Sequence, residues 1–316
     1  MKVLELFAGA GGAALGLEAA GFEHVALVEW DADACATLRA IGHRNVIQAD
    51  VHDLSAIRRV VGKQQIDLIW SSFPCQAWST AGKRRGAQDA RNGWPWTVVA
   101  LDEWKPRWFL GENVRGLTQH RGKCATRKGG PPDPVACPGC YFEHVVLVDL
   151  QMRFSCVGYW MLNAADFGVP QHRRRIFLWA GPVAPKRPVA THGPTMGHPW
   201  MSMGAALGLD GMRAIGAGTN PHGPGRAHER TERDITDEPA PAMTAERVGN
   251  AGPWLMRVDG GERRVLTWQE CAVLQDFPSN YPFQGGVGSI YKQVGNAVPS
   301  TIAGVVSYRV LMAEQG

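Results

Sequence analysis

The sequence predicts an α/β fold: a Rossmann-like, mostly parallel sheet with helices on both faces, joined to a smaller irregular domain. Three observations predict it. Short apolar runs alternate with helix-like stretches through the first half of the chain. Residues suited to binding or chemistry fall at the carboxyl ends of those runs, where open α/β sheets hold their ligands. From about residue 182 to 261 the pattern changes, with frequent Gly, Pro, His and Met and weak periodicity.

The elements follow in order. KVLELF from Lys2 reads as the first strand, and a glycine-rich turn opens the helix after it. HVALVE from His24, NVIQ from Asn45, IDLIW from Ile66 and RWFLGEN from Arg107 are the next four strands. YWMLNA and RIFLWAG flank a turn containing Gly168 and Pro170, and their spacing suits a hairpin. Regular helix returns at Thr267 to Gln275 and again after Pro299, where proline suits a first helical turn. The final helix is expected to rejoin the first domain, which makes that domain discontinuous. The boundaries are 1-184 with 288-316 for the larger domain and 185-287 for the smaller.

Composition sets bounds. A chain of 316 residues with 45% apolar and 20% charged residues can bury a sizeable core. A net charge of +4 is too small to argue for a polyanionic partner, so local basic clusters must carry that case. No apolar run approaches the ~18 residues that span a bilayer, so no membrane role is expected. The N-terminal MKVLELFAGAGGAALGLEAAG superficially resembles a leader, but Glu5 and Glu18 interrupt it and its glycines sit where a tight turn belongs. Seven cysteines in a chain of this length imply a reducing, cytoplasmic setting.

Gly9, Glu29, Asp50, Cys75 and Glu112 each lie at or just beyond the end of a proposed strand, so one site can hold all five. Gly9 to Ala14 fits G-x-G-x-x-A, and Glu29 follows at the distance suited to a ribose hydroxyl pair. That chemistry serves NAD or any other adenosine cofactor. Asp50 is placed to accept from an adenine amino group. Cys75 sits between Pro74 and a polar loop rather than mid-strand. A free thiol is only ~3% thiolate near neutral pH, yet the thiolate is a strong nucleophile. The loop AGKRRGAQDARNG carries Lys83, Arg84, Arg85 and Arg91, with Gly82, Gly86 and Gly93 as hinges. It is basic enough to close over an anionic polymer, or it is simply a solvated loop.

An ordered set of motifs then points to a family. LFAGAGG from Leu6, EWD at Glu29 to Asp31, AD at Ala49-Asp50, FPCQ at Phe73 to Gln76 and ENV at Glu112 to Val114 come first. QHRRR at Gln171 to Arg175, LQDFP from Leu274 and YKQVGNAVP from Tyr291 complete the set. The chain resembles the DNA cytosine-5 methyltransferase family over nearly its whole length. It departs from the family pattern at Gln269 and Val273, where arginine is common, and at Glu5, where aspartate is common. The segment between Gly116 and Glu143 looks like an insertion.

The resemblance implies S-adenosylmethionine as methyl donor, leaving as S-adenosylhomocysteine, and a flipped-out cytosine in a specific duplex DNA sequence as acceptor. Cys75 would add to C6 of the base, Glu112 would supply a proton at N3, Arg173 and Arg175 would hold O2, and Gln76 would act as the loop closes. Phe7, Ala8, Gly9, Gly11, Gly12, Glu29, Trp30, Asp50, Val51, Pro74 and Asn296 would bind the cofactor. The alternation of a strand sends Arg173 and Arg175 to one face and Arg174 to the other. Lys83, Arg84 and Arg85, with Arg226 and Arg230 of a target-recognition region roughly from Pro185 to Arg264, would contact DNA. The family resemblance leads us to expect a monomer, with any cognate restriction endonuclease acting separately.

One pattern stands apart. His120, Cys124, Cys137 and Cys140 read H-x3-C-x12-C-x2-C, half of a zinc-knuckle arrangement, with His144 as an alternative fourth ligand. An ordinary loop is the competing reading.

Overall fold

In the computed structural model, residues 1–74, 91–120, 132–217, 232–245, 254–257, 261 and 263–316 are described. The first half alternates as expected. β1 (Lys2–Leu6), α1 (Gly12–Ala19), β2 (Glu23–Glu29), α2 (Ala32–Ala40), β3 (Val46–Gln48) and α3 (Leu54–Val61) lead to β4 (Leu68–Ser71). α4 (Trp94–Trp104) and β5 (Trp108–Val114) follow. A short α5 (Pro138–Tyr141) runs through a π-helical turn into α6 (Leu147–Gln151). Next come β6 (Cys156–Asn163), β7 (Gln171–His172) and β8 (Arg174–Gly181).

β1 to β5 are mutually parallel, and β8 enters antiparallel between β5 and β6, giving the order β3-β2-β1-β4-β5-β8-β6. The β6–β8 pairing is the expected hairpin. Strand order reverses between β1 and β4. In such a sheet the connections after these two strands diverge to opposite faces and leave a crevice at their carboxyl ends. The central strands are continuous apolar runs because both faces are covered. Trp70, Trp108 and Phe109 are fully buried there.

The remainder is smaller in its elements. α7 (Met203–Leu207), β9 (Met212–Ala217), β10 (Glu232–Asp234), β11 (Ala240–Pro241), β12 (Trp254–Arg257) and β13 (Arg263–Val265) precede α8 (Trp268–Leu274), α9 (Val287–Asn296) and α10 (Ser300–Gln315). The region expected to be irregular also carries a four-stranded antiparallel sheet, β10-β9-β12-β13. Its own core joins Met203, Ala214 and Ile235 to Leu274, Phe277 and Val294. Thr267 and Glu270 form a reciprocal capping box at the start of α8, and Arg264 grips Glu270 through two hydrogen bonds of 2.7 and 2.8 Å.

α10 returns to pack on α1. A Cβ at Gly16 would lie 2.3 Å from the Ser300 carbonyl oxygen and 2.5 Å from the Gly304 nitrogen, so only glycine lets these two helices approach so closely. Among the described residues no helix is long and apolar enough to cross a membrane.

Candidate active site

The site is assembled at the carboxyl ends of β1, β2, β4 and β5. After β1 the chain must turn sharply to start α1. Phe7, Gly9 and Gly11 all take left-handed φ values, of 58°, 56° and 88°. Glycine adopts this region freely, whereas Phe7 carries strain of order 1–3 kcal/mol, a common mark of ligand-binding turns. A Cβ at Gly9 would meet nothing within 4 Å among the described residues, so the backbone there borders open space.

Glu29 ends β2 and is buried. Its Oε2 accepts from the Gly9 amide at 2.8 Å, and its Oε1 accepts from the amides of Trp30 and Asp31, both at 2.9 Å. Burial raises the Glu29 carboxyl above its ordinary range, and the three amides pull the other way. A carboxylate offers about four lone-pair sites, so roughly one remains for a ligand. Trp30 beside it is 74% exposed, an aromatic face turned to solvent. Asp50 is exposed and accepts from the His52 amide at 3.0 Å, while Val51 is buried.

On β5, Glu112 is buried, and Arg175 Nε lies 3.1 Å from its Oε1. Among the described residues that oxygen makes no hydrogen bond of good geometry, so the contact is an ion pair without an aimed donor. Burial pushes the carboxyl up, and the charges of Arg175 and then Arg173 only partly counter it. A carboxyl held above its usual range suits proton transfer near neutral pH.

The next residue has a role that the motif pattern does not reveal. Asn113 is buried, its side-chain amide donates to the Phe73 carbonyl at 3.0 Å, and its oxygen accepts from the Val114 amide at 2.8 Å. It ties the end of β5 to the backbone just before Pro74. The signal for it in the sequence is an amide side chain next to the glutamate of ENV, on an otherwise apolar strand. Tyr281 is a second such residue: its hydroxyl donates to the Ala10 carbonyl and supports the glycine turn from the smaller core.

The comparisons with known proteins bear on this geometry. Residues 1–183 and 211–311 match the sequence profile described as C-5 cytosine-specific DNA methylase. The chain belongs to that family. The methylase is 33% identical over 334 residues to the Type II methyltransferase M.NaeI of Lentzea aerocolonigenes, covering 99% of this chain and 75% of that one. It is 31% identical over 335 residues to M.NgoMIV of Neisseria gonorrhoeae, covering 98% and 97%. Among solved structures it is similar to a prophage-encoded DNA modification methyltransferase of E. coli, with TM-score 0.69, 19% identity and full coverage of both chains. It is also similar to DNMT2 of Spodoptera frugiperda, with TM-score 0.65 and 17% identity over 98% of this chain and 99% of that one. These two likenesses concern the fold. Family membership makes the chain an enzyme that methylates cytosine in DNA, and implies S-adenosylmethionine as its methyl donor.

Of the expected site residues, the structure brings the glycine turn, Glu29, Trp30, Asp50, Pro74, Glu112 and Arg175 to the strand ends of one sheet. Asn296 ends α9 and is exposed. Arg173 differs from expectation. Its Nη1 donates to the Met243 carbonyl at 2.6 Å, and its Nη2 donates to the Ala297 and Gly295 carbonyls at 2.8 and 3.3 Å. It is therefore a buried clamp between the sheet and the segment around α9, rather than a group held out toward a base. Strand alternation does not govern it because no single strand runs through it: β7 stops at His172 and β8 begins at Arg174. Cys75, Gln76, Lys83, Arg84, Arg85, Cys124, Arg226 and Arg230 lie outside the described residues.

Proposed function

We propose that the methylase transfers a methyl group to C5 of a flipped-out cytosine in a specific duplex sequence through a covalent Cys75–C6 adduct. The observation that carries this reading is the buried Glu112 carboxyl, 3.1 Å from Arg175 Nε, which burial pushes above its ordinary range. Asn113, next to Glu112 in sequence, is bonded to the backbone that leads into Cys75. Cytosine C5 is a weak nucleophile. Addition of the Cys75 thiolate to C6 shifts electron density to C5, and a proton from Glu112 at N3 neutralises the ring. Arg175 orients Glu112 and stabilises charge at the neighbouring O2. Loss of the C5 proton expels the sulfur and restores aromaticity. The target carbon is hidden in a duplex, so the base must leave the stack, at a cost of a few kcal/mol. Closure of the segment carrying Gln76, Lys83, Arg84 and Arg85 offsets part of that cost.

An adenosine cofactor fits the crevice. The open backbone at Gly9, the partly committed carboxylate of Glu29, the exposed Trp30 ring and the exposed Asp50 offer a backbone cradle, a ribose acceptor, a stacking face and an amino-group acceptor. Phe7, Ala8, Gly11, Gly12, Val51, Pro74 and Asn296 complete the proposed lining. When bound, S-adenosylmethionine supplies an electrophilic methyl group and departs as S-adenosylhomocysteine.

The relatives named as Type II methyltransferases support a modification role opposite a separate restriction endonuclease. We further infer a cytoplasmic monomer. Its catalytic part comprises 1-184 and 288-316, and a target-recognition part, 185-287, includes the DNA contacts Arg226 and Arg230. Trapping tests the reaction. Duplex DNA containing 5-fluorocytosine in the recognised site, with cofactor, should give a denaturation-stable protein–DNA adduct, absent in Cys75→Ala. Full methyl transfer by Cys75→Ala would end this reading.

A further inference from the structure

We propose that His120, Cys137 and Cys140 bind a structural zinc ion, and that this ion braces the floor beneath the glycine turn and Pro74. The three donor atoms lie within 4.8 Å of one another. His120 Nδ1 is 3.7 Å from Cys137 Sγ and 3.6 Å from Cys140 Sγ. Tetrahedral zinc with Zn–S near 2.3 Å and Zn–N near 2.05 Å sets its nitrogen and sulfur ligands about 3.6 Å apart, so these separations are those of a preformed site.

The surroundings point the same way. His120 Nε2 lies 3.0 Å from Glu143 Oε1. With the Nε2–H donated to that carboxylate, the Nδ1 lone pair is left facing the two sulfurs. A carboxylate on the far ring nitrogen is the usual partner of a metal-ligating histidine. Both cysteines are buried, and they flank a Pro138-Gly139 turn folded tightly beneath the imidazole. A Cβ at Gly139 would lie 2.9 Å from the His120 ring, and the Gly139 amide donates to the Gln119 carbonyl at 3.1 Å. The chain thus draws residues 119–120 and 137–140 together around the donors. The cluster does not take in His144. Cys124 lies outside the described residues, and the proposal stands on the other three.

The bracing follows from what the turn touches. Tyr141 succeeds Cys140, and its hydroxyl accepts from the Asn92 side-chain amide at 2.8 Å. Gly93, next in the chain, packs on Pro74 and Phe7: a Cβ there would lie 2.6 Å from Pro74 Cδ and 2.9 Å from the Phe7 ring. The path from the metal to the strand ends therefore runs through contacts between described residues. Only the functional meaning of that floor rests on the proposed reaction. The binding of metal does not.

The test uses the full-length protein, expressed with zinc in the medium and purified under reducing conditions without chelator. Elemental analysis should find about one zinc per chain, and less than a tenth of that in the Cys137→Ser/Cys140→Ser double variant. Cobalt(II) in place of zinc should give a near-ultraviolet thiolate-to-metal band that the double variant lacks. If the double variant misfolds, Glu143→Gln keeps every ligand and should weaken zinc 10–100-fold in competition with a chromogenic chelator. Removing zinc should lower the thermal midpoint and speed amide exchange at Asn92 and Gly93. Metal-free protein with an unchanged midpoint on adding zinc, or equal zinc in wild type and double variant, would overturn the proposal. Because none of these readouts is methyl transfer, they succeed or fail independently of the reaction assigned to Cys75.

Discussion

Glu29 and Glu112 invite comparison. Each lies on a parallel strand, at or near its carboxyl end, and each is buried; burial pushes both carboxyls upward. Their neighbours differ. Glu29 accepts from three backbone amides within 2.9 Å, which hold a carboxylate in place without supplying a mobile proton. Glu112 faces a guanidinium at 3.1 Å and, among the described residues, has an Oε1 without a hydrogen bond. Fixed amides make a carboxylate into an anchor. A side-chain cation and an unsatisfied oxygen leave it able to exchange a proton. The same residue type at the same kind of strand end is thus given two jobs by its neighbours.

The comparison breaks most readily at Glu112. Glu112→Gln should cut methyl transfer 10²–10⁴-fold while the thermal midpoint stays within a few degrees, measured with labelled cofactor and calorimetry. An effect below tenfold would place the proton elsewhere. Arg175→Ala sharpens the point through pH. Its charge lowers the Glu112 pKa, so removing it raises that pKa further. The reaction needs the protonated acid, so the alkaline limb of kcat/KM should move to higher pH.

The two arginines form the next contrast. Arg173→Ala removes the guanidinium from three buried carbonyls, of which Ala297 keeps its bond from Gln275, and should cost about 3 kcal/mol in urea denaturation. Arg175→Ala should cost only about 1 kcal/mol, because a buried carboxyl left alone takes up a proton instead.

A third buried carboxylate, Glu5 on β1, extends the series. His24 Nε2 is 2.8 Å from Glu5, and Nδ1 is 3.6 Å from Glu18. Burial alone would lower the His24 pKa, but the nearby Glu18 carboxylate and the hydrogen-bonded Glu5 carboxylate raise it to about 9. Its contribution to stability is therefore complete below the unfolded pKa of about 6.5 and is lost as pH rises through about 9. The folded state should lose roughly 2–3 kcal/mol across that window, and His24→Gln should flatten the loss. Urea midpoints at pH 6 and 9.5 measure it. The smallest effect belongs to the anchor. Glu29→Gln should weaken cofactor binding about tenfold by calorimetry, with transfer at saturating cofactor changed less than about twofold.

Much of the fold and of the crevice is legible in the sequence alone. Period and polarity locate β1 to β5, because buried parallel strands must be short apolar runs, and the turn residues after them mark the crevice. The β6–β8 hairpin is legible from the Gly168 and Pro170 turn. Arg173 escapes such a reading because a two-residue period holds only while a strand is unbroken, and the strand breaks at that residue. Asn113 and Tyr281 escape it because their partners, Phe73 and Ala10, are distant in sequence. The antiparallel sheet of the smaller core is obscured by its short strands, which give too few alternations to count.

The close seat of α10 on α1 has a consequence for how the protein comes into being. The helix opened by the glycine turn is made early in translation, yet the backbone it rests on at Gly16 comes from Ser300 to Gly304. A nascent chain that has not yet reached residue 304 therefore lacks the surface that seats this helix. Methyl donor binding should therefore await the synthesis and release of residues 300–304, which seat this helix.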